Sequence, residues 1–81
     1  MIIGTVKGCV WATKKDDGLN GVKLLLVKTE KNLIVATDEV GAGVGDMVLL
    51  CFGSSAHMGG NIPTDAAIIG IVDSFESEDV L

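Results

Sequence analysis

The chain has 81 residues, 48% of them hydrophobic, with six lysines, no arginine and a formal net charge of −5. That length holds one small domain with a limited interior, and a mean hydropathy of +0.52 gives it more apolar surface than such an interior hides. The charge excludes the basic footprint of a nucleic-acid binder, and apolar runs of four to six residues fall short of the about 20 that a spanning helix needs.

No secretory leader is visible, since Lys7, Lys14 and Lys15 follow or interrupt the first apolar run rather than precede it. The expectation is a cytosolic protein, without membrane or nucleic-acid partners, whose surplus apolar surface meets other subunits.

Taken in chain order, the first run covers Ile2 to Thr13. It places Ile2, Gly4, Val6, Gly8, Val10 and Ala12 on one face and Ile3, Thr5, Lys7, Cys9 and Trp11 on the other. This predicts a long curved strand, with Gly4 and Gly8 at bends or close backbone approaches. A polar loop, KKDDGLNG, follows. KLLLVKT (Lys23 to Thr29) is a second strand, EKN a tight reversal and LIVAT (Leu33 to Thr37) a third, together a hairpin. MVLLCF (Met47 to Phe52) is a fourth strand, and AAIIGIVDSF (Ala66 to Phe75), entered through Pro63, a fifth. A short helix is expected after Gly53, with Ser54 or Ser55 as its N-cap. Residues 1–75 thus read as one β-barrel domain and 76–81, ESEDVL, as an acidic solvent-facing tail.

The second, fourth and fifth strands are apolar on both alternating faces. In a parallel sheet that pattern means helices on each side, but the chain has no length for them. A closed barrel fills its interior with one face and leaves the other for neighbouring subunits. The predicted fold is all-β: a small five-stranded OB-like barrel with one short helix, assembled into an oligomer.

Gly41, Gly43 and Gly45 in VGAGVGD resemble a phosphate cradle. A dinucleotide loop, however, leads from a strand into a helix, and a P-loop carries a lysine. Here a strand follows, and no lysine occurs after Lys31. The stretch therefore reads as a turn with positive φ values feeding the fourth strand. Ser54, Ser55 and His57, with Asp65 downstream, bring a nucleophile and a base together in sequence, but adjacency rarely produces triad geometry. One histidine and scattered carboxylates make a poor transition-metal site. Cys9 and Cys51 are too few and too far apart for a thiol zinc site. Both sit in apolar runs and are expected as small buried hydrophobes, with a disulfide as the alternative. No cofactor and no enzymatic activity are expected. An OB-like module for an oligonucleotide or small ligand is the alternative function, with only Trp11, Phe52 and Phe75 as stacking surfaces.

Three segments carry a family likeness: GTVKGCVWATKKDDGLNGVKLLLV, DEVGAGVGDMVLLCFGSSA and PTDAAIIGIVD. In order and spacing they resemble the EutN/CcmL family, pentameric vertex proteins of bacterial microcompartment shells. The resemblance covers roughly residues 1–73. It implies an OB-like barrel forming a cyclic homopentamer that caps a vertex of a polyhedral shell, in the bacterial cytoplasm, beside hexameric shell proteins. It also implies that Asp38 to Gly45 is the signature turn and that Gly53, Ser54 and Ser55 lie near the five-fold axis. Trp11 and His57 are the candidate interface residues. His57 stands where the family often has arginine, and a histidine there makes the contact sensitive to pH.

Overall fold

The β-branched runs become five strands: β1 (Ile2–Cys9), β2 (Lys23–Lys28), β3 (Leu33–Asp38), β4 (Met47–Phe52) and β5 (Ala66–Ile71). The computed structural model describes residues 1–12, 17–19, 21–53 and 66–77. The strands close into a barrel in the order β1-β2-β3-β5-β4. Every neighbouring pair is antiparallel except β3 and β5, which run parallel. This is the OB-like arrangement, and closure removes the exposed edges that an open sheet presents. Among the described residues there is one complete 3₁₀ turn, Asp17–Leu19, and Gly53 after β4 is also in 3₁₀ conformation. The helix expected after Gly53 lies outside the described residues.

One face of each strand fills the barrel. Val6, Leu25, Val27, Val48, Leu50 and Ile68 are its largest fully buried side chains, each worth about 1.5–3 kcal/mol on burial. The β2–β3 hairpin pairs Lys28 with Leu33, and Thr29 holds its reversal. Its hydroxyl accepts from Asn32 N at 3.0 Å and donates to Asn32 O at 3.1 Å.

Two bulges shape the wall. On β1 the register shifts between Val6 and Gly8, leaving Lys7 without a partner on β2. The single-face stripe expected to run from Ile2 to Ala12 is therefore broken at Lys7. β1 ends at Cys9, and Val10 makes a last bond from its N–H to Leu24 O. Beyond it Trp11 and Ala12 are exposed. On β5 the shift falls between the partners of Leu49 and Leu50, which pair with Gly70 and Ile68.

The cysteines part company. Cys51 is buried against its cross-strand partner Ala67, with Ile69 packed alongside, in a cluster separate from the interior. Cys9 is exposed, contrary to the expectation that both are buried: it is the last residue of β1, and although it pairs with the interior Leu25, the strand ends there and leaves it uncovered. No disulfide joins the two.

Candidate functional site

The glycine turn joins β3 to β4, and five of its backbone donors, those of Val40, Ala42, Gly43, Gly45 and Asp46, are committed within the chain. Asp38, at the end of β3, accepts from Val40 N through Oδ1 (3.0 Å) and from Ala42 N through Oδ2 (2.9 Å). Asp46 Oδ2 accepts from Gly43 N at 2.9 Å, and Asp46 N donates back to Gly43 O at 3.0 Å. Gly45 N donates to Val6 O, and Val6 N to Asp46 O, both at 2.9 Å, so the turn is stitched to β1. From β2, Lys23 Nζ donates to Ala42 O at 2.6 Å and stands 3.4 Å from Asp38 Oδ2. A phosphate cradle needs free N–H groups converging on an anion. Here two carboxylates of the chain itself occupy that role, which removes the nucleotide reading on geometry.

The three glycines differ. Gly41 and Gly45 have φ of 86° and 95°, a region costly for any side chain, whereas Gly43 is not in it. A Cβ on Gly43 would have Asp46 Oδ2 as its nearest neighbour at 4.0 Å. Gly41→Ala and Gly45→Ala are each expected to lose about 1–2 kcal/mol, with Gly43→Ala close to neutral for the subunit. Thermal unfolding of the three variants at one subunit concentration checks this. An equal loss at Gly43 would place its constraint outside the subunit.

Of the other residues singled out, Gly53 follows directly after β4 with φ of 69°. Ser54, Ser55, His57 and Asp65 lie outside the described residues. Trp11 is 90% exposed, beside a groove of about 200 Å³ between residues 9–12 and 22–24. A second groove, of about 630 Å³, lies between residues 1–3 and the 29–32 reversal. Among the described residues no three of His, Cys, Asp and Glu come together to hold a metal. Asp38 entered the sequence reading only as the first residue of the signature turn; its role as the acceptor that organises the turn was missed, and its signal was an aspartate at a strand end just ahead of a glycine-rich stretch.

What the barrel does present is apolar outer wall. On β2 and β3, Leu26 pairs with Val35 and Lys28 with Leu33, and Leu33 and Val35 are 57% and 44% exposed. On the other side Ile3 pairs with Leu49, Thr5 with Met47, and Leu49 with Gly70. The closed strand order sets β4 apart from both β2 and β3, with β1 and β5 between. Two apolar faces on opposite sides of one small barrel mark surfaces that other chains cover.

The fold and surface define a small OB-like barrel equipped for assembly. The chain belongs to the EutN/CcmL family: the family model described as ethanolamine utilisation protein EutN/carboxysome matches residues 1–73. It is 44% identical to the carboxysome shell vertex protein CcmL of Nostoc sp. (strain PCC 7120), over 100% of this chain and 91% of that protein. It is 41% identical to the bacterial microcompartment shell vertex protein GrpN of Rhodospirillum rubrum, over 95% of this chain and 98% of that one. The solved structure of the GrpN pentameric microcompartment shell protein matches with a TM-score of 0.85 and 38% identity, covering 98% of this chain and 100% of that one.

Proposed function

We propose that this protein is a non-catalytic component of a bacterial microcompartment shell. Five copies form a ring that caps a vertex of the polyhedral shell and closes the layer of hexameric shell proteins. The observation that carries this is the pair of opposed apolar faces on a closed barrel of a family whose relatives are shell vertex proteins. A ring gives each subunit two neighbours, so both faces leave water. A contact that repeats by rotation closes into a cycle rather than a filament. The activity is geometric, because a five-fold unit among six-fold ones forces a flat layer to curve.

Within that role Trp11 is an interface side chain, since an indole left 90% exposed is a large apolar area seeking cover. In the same reading Gly53, just after β4, faces the five-fold axis; Ser54 and Ser55, and residues 78–81 of the acidic tail, lie outside the described residues. Oligonucleotide binding is disfavoured by the net charge of −5 and by the bonding of Val40, Ala42 and Gly43 N–H to the chain's own carboxylates.

Native mass spectrometry tests the proposal. The expected species is a pentamer of about 42 kDa, five times the 8.4 kDa chain. A dominant monomer or dimer at micromolar concentration would refute it, and a hexamer would assign the chain to shell facets instead.

A further inference from the structure

The chain has three asparagines and no glutamine. Asn32 is followed by Leu33 and Asn61 by Ile62, whereas Asn20 is followed by Gly21. The difference is chemical. The backbone nitrogen after an asparagine can attack the side-chain amide and close a five-membered ring. It does so when it is free of hydrogen bonds and no side chain crowds it. Leucine and isoleucine bring a branched side chain to that position, and glycine brings none.

The structure supplies the remaining conditions at Gly21. Val22 N donates to Leu19 O at 3.0 Å, closing a four-residue reversal around Asn20–Gly21 just ahead of β2. Asn20 itself lies outside the described residues. Gly21 is exposed, has φ of 77° and has open space where a Cβ would stand. Among the described residues nothing accepts a hydrogen bond from the Gly21 N–H. The N–H groups of Gly43 and Gly45, by contrast, are bonded to Asp46 and Val6.

We propose that Asn20–Gly21 is a site of spontaneous covalent modification, at which the folded chain deamidates with water as the co-reactant. Gly21 N gives its proton to hydroxide and forms a bond to Asn20 Cγ. The Cγ–Nδ2 bond breaks, and the nitrogen takes a proton from water and leaves as ammonia. Water then opens the resulting succinimide at either carbonyl, so position 20 becomes an aspartate or an isoaspartate. Either product adds a negative charge to a chain of net charge −5. The isoaspartate also lengthens the main chain by one methylene inside the reversal that leads into β2 at Lys23. A reversal lengthened in this way loses its Val22–Leu19 bond. The bond from Val10 N to Leu24 O, at 2.9 Å, is the outermost link between the first two strands at that end and frays next. Residues 22–24 line the groove beside Trp11, so the modification reaches the surface around that side chain.

Timed incubation of the purified protein at neutral pH, read by intact-mass and peptide-mass measurement, tests the assignment. A gain of about 1 Da per chain is expected, confined to the peptide that holds Asn20. That peptide should split into aspartate and isoaspartate forms on chromatography, while Asn32 and Asn61 keep their amides. Asn20→Gln, which would have to close a six-membered ring, is expected to lose the gain. An equal gain in Asn20→Gln, or conversion at Asn32 or Asn61 as fast as at Asn20, overturns the site. Conversion in urea with none in the folded protein also overturns it, because a reversal with a free Gly21 N–H reacts without unfolding. Hydrogen exchange reads the consequence. Protection at the Val10 N–H is expected to be lost in the isoaspartate form and kept in Asn20→Asp, which adds the charge without the methylene. Equal protection in the two overturns the link to the strand pair.

Discussion

Gly4→Val is expected to yield no folded barrel, and Gly4→Ala a barrel that melts roughly 10–20 °C below the wild type. The reason is a contact across the β1–β2 ladder. A Cβ built on Gly4 would lie 2.6 Å from Val27 Cγ1, 3.1 Å from the Lys28 carbonyl oxygen and 3.2 Å from Leu50 Cδ1. None of the three can yield cheaply. Val27 and Leu50 are fully buried, and the Lys28 carbonyl belongs to the backbone where Thr5 pairs with Lys28. Overpacking of this kind costs about 1–3 kcal/mol for small additions. A domain of this length has only about 4–12 kcal/mol to lose. Valine adds three carbons to a site with no room for one. Gly8→Ala is the control on the same strand, since a Cβ there meets nothing within 4 Å, and its melting point should stay within a few degrees of wild type. Thermal unfolding followed by circular dichroism at a fixed subunit concentration reads both, because assembly makes the midpoint depend on concentration. A Gly4→Ala midpoint equal to that of Gly8→Ala would mean that Val27 and Leu50 repack without cost.

Gly4 was legible as a point of close approach from its place in an alternating stripe, and so was most of the barrel. The β4 run begins and ends where its apolar residues do, and the EKN reversal predicts the β2–β3 hairpin because nothing else fits between two β-branched runs. The strand ends were less legible. β1 stops at Cys9 rather than Thr13 and β5 at Ile71 rather than Phe75. In each case apolar alternation continues in the sequence after hydrogen bonding in the strand has ended. Periodicity records which residues face an interior, and it carries no information about where a partner strand runs out. The exposure of Cys9 was hidden for the same reason, since it is the residue at which β1 ends. The role of the chain was legible through the family likeness of three ordered segments. Composition alone reached only the need for neighbours. The turn illustrates the remaining gap: its glycines were conspicuous in the sequence, but the side chain that organises them was not.

Asp38→Ala is expected to cost about 2–4 kcal/mol and to loosen the turn between β3 and β4, with Asp38→Asn recovering less than half of the loss. Asp38 has a side chain with no solvent exposure, yet it faces Lys23 across the β2–β3 ladder. Two interactions compete to explain its importance. The ion pair with Lys23 spans 3.4 Å, and the lysine side chain is 47% exposed. Water therefore screens the pair, and its contribution falls toward the surface range of about 0–1 kcal/mol. The hydrogen bonds to Val40 N and Ala42 N contribute more. Ala42 is buried at 1% exposure, so its N–H has no water to turn to when the carboxylate is removed, and a buried unpaired donor costs about 1–3 kcal/mol. Asparagine distinguishes the two accounts. It keeps one oxygen acceptor but sets an NH₂ donor against either an N–H group or the Lys23 ammonium, so one bond survives and one becomes a donor–donor clash. Lys23→Met removes the ion pair and the bond to Ala42 O while leaving both carboxylate bonds intact, and should cost no more than about 1 kcal/mol. Urea unfolding of the three variants at one subunit concentration orders them. If Lys23→Met proved as damaging as Asp38→Ala, the ion pair would be the organising interaction. The expected order puts the backbone hydrogen bonds first, because they hold the turn whose far end, at Val6, Gly45 and Asp46, is joined to β1. Hydrogen exchange then gives a second readout, with protection at Ala42 and Gly45 lost together in Asp38→Ala and retained in Lys23→Met.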